Sequence, residues 1–447
     1  MPSTPPRPPH QPSAPTGPAP ASLIPSATGG ALPVTAGTRL PDLGELGRVR
    51  LAGVALPLER LRAEPERHAR LFENAKTNPG HGLCLCQPTP LPLVIRLRSG
   101  RYHLAGWPGQ GAQHDAECLF YKLADDMSAR SALTLGAVLE HEDGINIRLR
   151  NALMLVLDPQ APELTDTEHT PATGRDATSL LGLLHVLWEQ AGLNIWQRRA
   201  GDRTWQAAHR RLTDAATTCT LGTRPLTDLL HIVPPFHRDT ATHTNDQLLR
   251  FASRLGRRGD RQHRGLILGE IKTLTPGTTS TRLNLRHQRT AITVPNPLIA
   301  RAQRSYRHVF APHRPPSRQI ALLLVERVGR DRLQAVDMCA MLTNTALIPG
   351  ESGPEIRAAN HLISKGRTFA KPMRFDSADA VFPDFVLTDT QPPAYMEVWG
   401  VHGRQDYEHR RRAKELHYRR TGSTLISWDT ATDDLADLQL PPRHLNR

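Results

Sequence analysis

Apolar and polar positions alternate most clearly in the last hundred residues. "DFVL" (384–387) and "AYMEVW" (394–399) are strand-like runs on either side of the turn-forming "TDTQPP". They predict a hairpin with Leu387 opposite Ala394, Val386 opposite Tyr395 and Phe385 opposite Met396. Side chains alternate along a strand, so Phe385, Leu387, Ala394, Met396 and Val398 share an apolar face. Asp384 and Glu397 then meet across the other face. Upstream, "GPEIRAANHLISKG" reads as a helix, with Pro354 near its start, Gly366 past its end and Ile356, Ala359 and Ile363 as its stripe. "RTFAKPMRF" reads as a strand, placed at a sheet edge by Pro372. Downstream, "DYEHRRRAKELHYRRTG" reads as a helix stopped by Gly422, and "STLISWD" as a last strand. The predicted order is α, β, β, β, α, β.

The rest of the chain is less regular. Residues 46–80 read as partly helical, and "LPLVIRL" as a short strand in a Gly-, Pro-, Cys- and His-rich stretch. Three helices are expected in succession, in "SLLGLLHVLWEQ", "RTWQAAHRRLTDAATT" and "RPLTDLLHIV". They suit a plain helical core better than a helix-turn-helix, because no recognition helix stands out. "GLILGEIK" and "QIALLLVERV" read as strands, and no repeat of fixed period is present. The fold class is therefore mixed α/β and multidomain. The expected divisions are 1–45, a Pro-rich tail too poor in large apolar groups to order; 46–130; 131–345, helical and mixed; and 346–447.

Composition narrows the functional classes. The formal net charge is +13, and only six of the 56 basic residues are lysine. Such a balance points to a polyanion, nucleic acid first. No apolar run is long enough to cross a bilayer, and no apolar segment follows a basic start as in a secretory signal, so a soluble, cytoplasmic protein with no membrane partner is expected. Five cysteines in 447 residues make no disulfide framework. The absence of a G-x4-GK-[ST] motif argues against an ATP-driven motor.

Three of those cysteines fall in one 35-residue window. Cys84 and Cys86 form C-x-C, and after 27 residues His114 and Cys118 form H-x3-C. Two close pairs on separate turns are how a chain surrounds tetrahedral Zn²⁺. A small zinc-ribbon-like module with a structural ion is expected, with His81 as a spare ligand. Four protein ligands leave no open position, which counts against a zinc hydrolase. Cys219 and Cys339 sit in apolar contexts and read as core residues.

Two carboxylates roughly 5 Å apart across a hairpin repel by about 3 kcal/mol at an effective dielectric of about 20. Such a pair needs a cation between its members or a proton on one of them. A hard divalent ion, Mg²⁺ or Mn²⁺, is the simplest resolution.

The Pro383-Asp384 and Glu397 pair, set within the α, β, β, β, α, β order, resembles the PD-(D/E)xK nuclease superfamily over about residues 346–430. The resemblance implies a restriction-endonuclease-like core, Mg²⁺ on Asp384 and Glu397, phosphodiester hydrolysis, and Glu355 as an extra acid from the first helix. The whole chain also resembles an uncharacterised bacterial family of plasmids and conjugative elements, through "HGLCLC", "LWEQAGLN" and "PDF…MEVWG". That company makes DNA of a mobile element the implied substrate.

The superfamily pattern expects lysine two residues after the second acid, where this chain has Trp399. Tyr407, Arg411, Lys414 and Tyr418 share one helical face and can supply the missing cation. Lys414 is the candidate to reach the metal water or the scissile phosphate, since arginine holds its proton at working pH; Lys414 or Arg411 would stabilise the developing charge, and Lys371 is a weaker substitute. A rival arrangement, Asp260 followed after nine residues by Glu270-Ile-Lys272, fits the literal motif. It ranks lower because no strand is expected after Asp260, and Glu270 reads as the solvated end of a strand. Two functions remain: a metal-dependent DNA nuclease, or a DNA-binding or assembly factor that keeps a nuclease-like fold without activity.

Overall fold

The computed structural model describes residues 47–444, apart from 99–100, 116–117, 122–136, 142–143, 152, 157–176, 199–202, 239–240, 312–315, 330–331, 374–382 and 401–404. The expected tail, 1–45, lies outside them. Among the described residues the strands form four sheets, within a unit spanning residues 40–447.

Strands β1 (Arg48–Leu51) and β2 (Val54–Pro57) lead into helices α1 (Leu58–Ala63) and α2 (Ala69–Thr77). Strands β3 (Gly82–Cys84), β4 (Leu91–Arg98) and β5 (Arg101–Gly106) complete a sheet of order β2-β1-β3-β4-β5. Phe72 and Ala75 of α2 pack with Val49, Leu51 and Leu93 in its core.

Strands β6 (Val138–His141) and β7 (Gly144–Ile147) precede β8 (Met154–Val156), helix α3 (Leu180–Gln190) and β9 (Ile195–Trp196). The Ser179 hydroxyl caps α3 by accepting the Gly182 N–H at 3.1 Å. Helix α4 (Trp205–Thr217) is capped likewise by Thr204. After it come β10 (Cys219–Leu221) and β11 (Arg224–Pro225), which extend the β6–β7 pair into a second sheet. The expected third helix is one turn, α5 (Leu226–Leu229), running into β12 (Leu230–Ile232). "LLHIV" is too short to fix a period, and pairing with a longer strand decides its state. Helices α3 and α4 bury Leu184, Leu187, Trp188 and Leu212 in the largest apolar cluster, as a helical core should.

The third sheet is the least expected part. Helix α6 (Ala241–Ser253) and β13 (Gly256–Arg258) precede β14 (Arg261–Pro276), β15 (Ser280–Leu285) and β16 (Ile292–Pro295). Helices α7 (Asn296–Ser305) and α8 (Arg307–Phe310) lead to β17 (Ser317–Val328), β18 (Arg332–Asn344) and β19 (Pro349–Gly350). β14 pairs with β15, β15 with β16, β16 with β18, β18 with β17, and β17 with β14 again. The five strands thus close a barrel, in which only β16 and β18 run parallel. Ile267, Leu283, Ile292, Val294, Leu323 and Ala335 fill it, with Leu298 and Ile299 of α7 and Phe251 of α6 in the same cluster. Leu266, Leu268, Ile320, Leu322 and Leu324 alternate with them and pack outward with α3 and α4. A Cβ at Gly265 would stand 2.6 Å from the Phe251 ring and 2.9 Å from Leu255. Gly265→Ala is therefore expected to destabilise the protein by about 1–3 kcal/mol, read as a lower urea midpoint at unchanged m-value.

The fourth sheet holds α9 (Gly353–Ser364), β20 (Phe369–Ala370), β21 (Phe385–Leu387), β22 (Ala394–Trp399), α10 (Gln405–Arg420) and β23 (Leu425–Asp429). Its strand order is β23-β22-β21-β20-β9. Two expectations change here. Of the strand expected across 367–375, residues 374 and 375 lie outside the described residues and Phe369–Ala370 is strand; it is interior, because β9 from the middle of the chain pairs with its outer side. Pro372 lies beyond the strand, so its missing N–H removes no ladder bond.

Candidate functional site

Two clusters of chemistry-bearing side chains stand out, one in the first sheet and one in the fourth. In the first, Cys84 ends β3 and Cys86 follows two residues later. The β4–β5 hairpin then carries the chain back, and a single helical turn at Gly111–Gln113 delivers His114. The Cys118 N–H donates to the Asp115 carbonyl at 2.8 Å, which fixes the second turn. Cys84 and Cys118 sulfurs are 3.6 Å apart; His114 Nδ1 is 3.3 Å from Cys86 Sγ and 3.7 Å from Cys118 Sγ.

All four side chains are buried, and their ligand atoms lie within 4.8 Å of one another. The cysteines are free thiols. Zn–S bonds of about 2.3 Å in a tetrahedron put sulfurs about 3.8 Å apart, so the spacing fits an ion and is too long for a disulfide. The Cys118 thiol is pushed far up, first by hydrogen bonding to Cys84 and Cys86 and then by burial. Three thiols this close cannot all ionise without a cation among them. The four residues can hold a metal such as zinc. His81 lies outside this group, edge-on to Trp107 with ring centroids 6.2 Å apart. Cys219 and Cys339 are buried in the main core.

In the fourth sheet, the hairpin pairs Phe385 with Met396, Val386 with Tyr395 and Leu387 with Ala394. Phe385, Leu387, Ala394 and Met396 lie in one apolar cluster with Val398 packed against it, while Val386 belongs to another. Asp384, just before β21, donates its N–H to the Met396 carbonyl at 3.0 Å, and its carboxylate accepts the Val398 N–H at 2.8 Å. Asp384 and Glu397 are 6 % and 1 % exposed. Burial, then repulsion from Glu355, pushes the Asp384 carboxyl up to about 7.

Each acid is met by a lysine. Lys414 Nζ donates to Glu397 at 2.7 Å, and the Tyr418 hydroxyl donates to its other oxygen at 2.8 Å. Lys371, itself 2 % exposed, donates to Glu355 at 2.7 Å and stands 3.9 Å from Asp384. Trp399 explains how Lys414 arrives. Trp399 shares a strand face with Glu397, and its indole N–H donates to Ser427 at 2.7 Å. The ammonium of Lys414 lies 5.9 Å over that ring, and the guanidinium of Arg411 5.1 Å over it. Tyr407 accepts the Gly400 N–H, and Tyr418 stacks on Tyr395, so all four residues of that helical face meet this region of the sheet.

The remaining site candidates also make contacts away from the two acids. Arg411 donates to Asp429 at 2.8 Å and to Glu415 at 3.0 Å. Glu355 accepts from the Glu351 N–H and the Ser352 hydroxyl, so it also caps the start of α9. Glu355, Asp384 and Glu397 do not converge as tightly as the cysteine cluster: among the described residues only that cluster brings three or more ligand atoms within 4.8 Å of one another.

The rival motif lies along one extended strand. Asp260 sits in the turn between β13 and β14, and a 16-residue strand does follow it. Glu270 lies along that same strand, about 33 Å of extended chain away, so the two acids cannot share an ion. Nor is Glu270 solvated: it is 3 % exposed and held by Arg286 at 2.7 Å and Arg318 at 3.0 Å.

The fold and clusters define a mixed α/β protein with a Cys₃His centre able to take a metal such as zinc and a buried acid–lysine group on a separate sheet. The chain belongs to the family described as protein of unknown function DUF1173, which matches residues 57–431 and so spans both clusters. No curated protein and no solved structure matches it. No helix among the described residues is long and apolar enough to cross a membrane.

Proposed function

We propose that the C-terminal sheet is the core of a metal-dependent nuclease of the PD-(D/E)xK kind, acting on the DNA of a plasmid or other mobile element. One observation carries the reading: the Phe385–Met396 pairing, continued one residue outward, sets Asp384 opposite Glu397, and the following helix supplies Lys414 at 2.7 Å from Glu397. The expected lysine is thus replaced from another element, above the tryptophan that took its position. Carboxylates are hard oxygen donors suited to Mg²⁺ or Mn²⁺, and the Asp384 carboxyl, raised first by burial and then by repulsion from Glu355, is one that a nearby cation would favour in its charged form.

An ion held there would polarise the scissile phosphate and acidify an attacking water. The chain's own part is positioning. The Val398 N–H orients the Asp384 carboxylate, and Tyr418 orients Glu397. Lys414 is placed to offset charge growing on a phosphate oxygen. Lys371 does the same for Glu355 and Asp384 before substrate arrives. The net charge of +13 supports a polyanionic substrate.

Plasmid and linear DNA incubated with Mg²⁺ or Mn²⁺ are expected to be cleaved by the wild type. Asp384→Asn and Glu397→Gln should each slow cleavage by at least about a hundredfold, with DNA affinity in metal-free buffer changed less than threefold. A specific observation favours the second reading, a DNA-binding or assembly factor: both acids already have lysine counter-charges without any ion. DNA bound but uncut by all three proteins would establish that reading and end the first.

A further inference from the structure

We infer that the closed barrel of residues 261–344 is an oligonucleotide-binding module that takes single-stranded DNA along its β15–β16 face. The inference rests on the nucleic-acid part of the preceding proposal, and on none of its chemistry.

The connectivity is the first argument. Numbering the barrel strands one to five along the chain, β14 to β18, the circuit runs one, two, three, five, four and back to one. The third and fifth strands are the parallel pair, and a helix, α7, lies between the third and fourth. This is a five-stranded Greek-key barrel of the oligonucleotide-binding type, which receives its ligand on the second and third strands and the neighbouring loops. Topology by itself does not assign a function.

The second argument is what the two sides of the barrel carry. The outward residues of β14 and β17 are covered: Leu266, Leu268, Ile320, Leu322 and Leu324 pack with α3 and α4. The outward side of β15, β16 and the far half of β14 is polar. Inward Thr281, Leu283 and Leu285 are buried, and outward Arg282 and Arg286 are exposed with Asn284 between them. Arg282 pairs across the sheet with Thr275 and Thr293, and Asn284 with Thr273. Lys272 is exposed at the bulge of β14. No Asp or Glu lies among the described residues 271–296, which carry Lys272, Arg282, Arg286 and Arg289; of these Arg286 is paired with the buried Glu270 beside this stretch, which leaves Lys272, Arg282 and Arg289 as its cations. The open face is therefore cationic and rich in hydrogen-bonding groups, which complements a phosphodiester backbone. Its residues 271–296 include no Phe, Tyr or Trp, so affinity should come from phosphate contacts more than from base stacking, with weak sequence preference.

A labelled dT oligomer, titrated by fluorescence anisotropy without added divalent ion, tests this on the full chain. Lys272→Glu/Arg282→Glu should weaken binding at least tenfold and lower the slope of log affinity against log salt. Arg257→Glu/Arg258→Glu reverses two exposed charges on β13, off this face, and should change affinity less than threefold. Thermal unfolding of both variants shows that they fold. Equal weakening by the two variants would mean that overall charge, not this face, binds the strand, and would overturn the inference. So would a dT oligomer that binds the wild type no better than a duplex of equal length. Tight dT binding without any DNA cleavage would remove the nuclease reading and leave this one standing.

Discussion

Cys84→Ser is expected to release a zinc ion and loosen the first sheet. Elemental analysis of the purified wild type should give one zinc per chain, and the variant close to none. The expectation follows from the four buried ligand atoms of Cys84, Cys86, His114 and Cys118, which lie within 4.8 Å of one another. Structural zinc contributes about 10–16 kcal/mol of apparent binding free energy in small modules. Here part of the fold would survive, because Val49, Leu51, Phe72 and Leu93 pack without the ion. Hydrogen exchange should therefore quicken across residues 48–106 and stay slow in the barrel. Zinc retained at one per chain in Cys84→Ser would remove this ligand from the set.

Lys371→Met should be the most destabilising single change in the fourth sheet. The ammonium is 2 % exposed, at 2.7 Å from Glu355 and 3.9 Å from Asp384. Removing one partner of a buried ion pair costs about 3–5 kcal/mol, because the other charge stays buried and uncompensated. The double variant Lys371→Met/Glu355→Gln removes both charges and should recover at least half of that loss. Urea unfolding of the single and double variants measures the coupling. A cost below about 1 kcal/mol for the single variant would show that water reaches the pair.

The hairpin register was legible because three cues agreed: alternation in "AYMEVW", a turn in "TDTQPP", and apolar residues that match face to face. Helix limits were legible where a cap marks them, as at Ser179, or where a glycine takes positive φ, as at Gly366 and Gly422. The zinc-like cluster was readable from spacing alone, since chelation itself demands close pairs. The barrel was not. β14 begins with the polar "RQHR", which hides the first quarter of a long strand, and closure depends on β14 pairing with β17, a long-range partner that no local period announces. The partner of Lys371 was illegible for a related reason. The lysine's neighbours in sequence, Ala370 and Pro372, say nothing about Glu355 sixteen residues earlier. The two lysines also revise the argument for the facing acids. Repulsion called for a cation, and the chain provides two of its own.

Strand β9 has a consequence for dissecting the molecule. Ile195 and Trp196 complete a sheet whose other strands come after residue 368. A fragment beginning near residue 346 would leave the outer edge of β20 bare, with Phe369 and Ala370 offering unpaired amides to any passing strand. The last hundred residues should be sticky and poorly behaved alone, and should recover when a peptide spanning Leu193–Gln197 is supplied in trans.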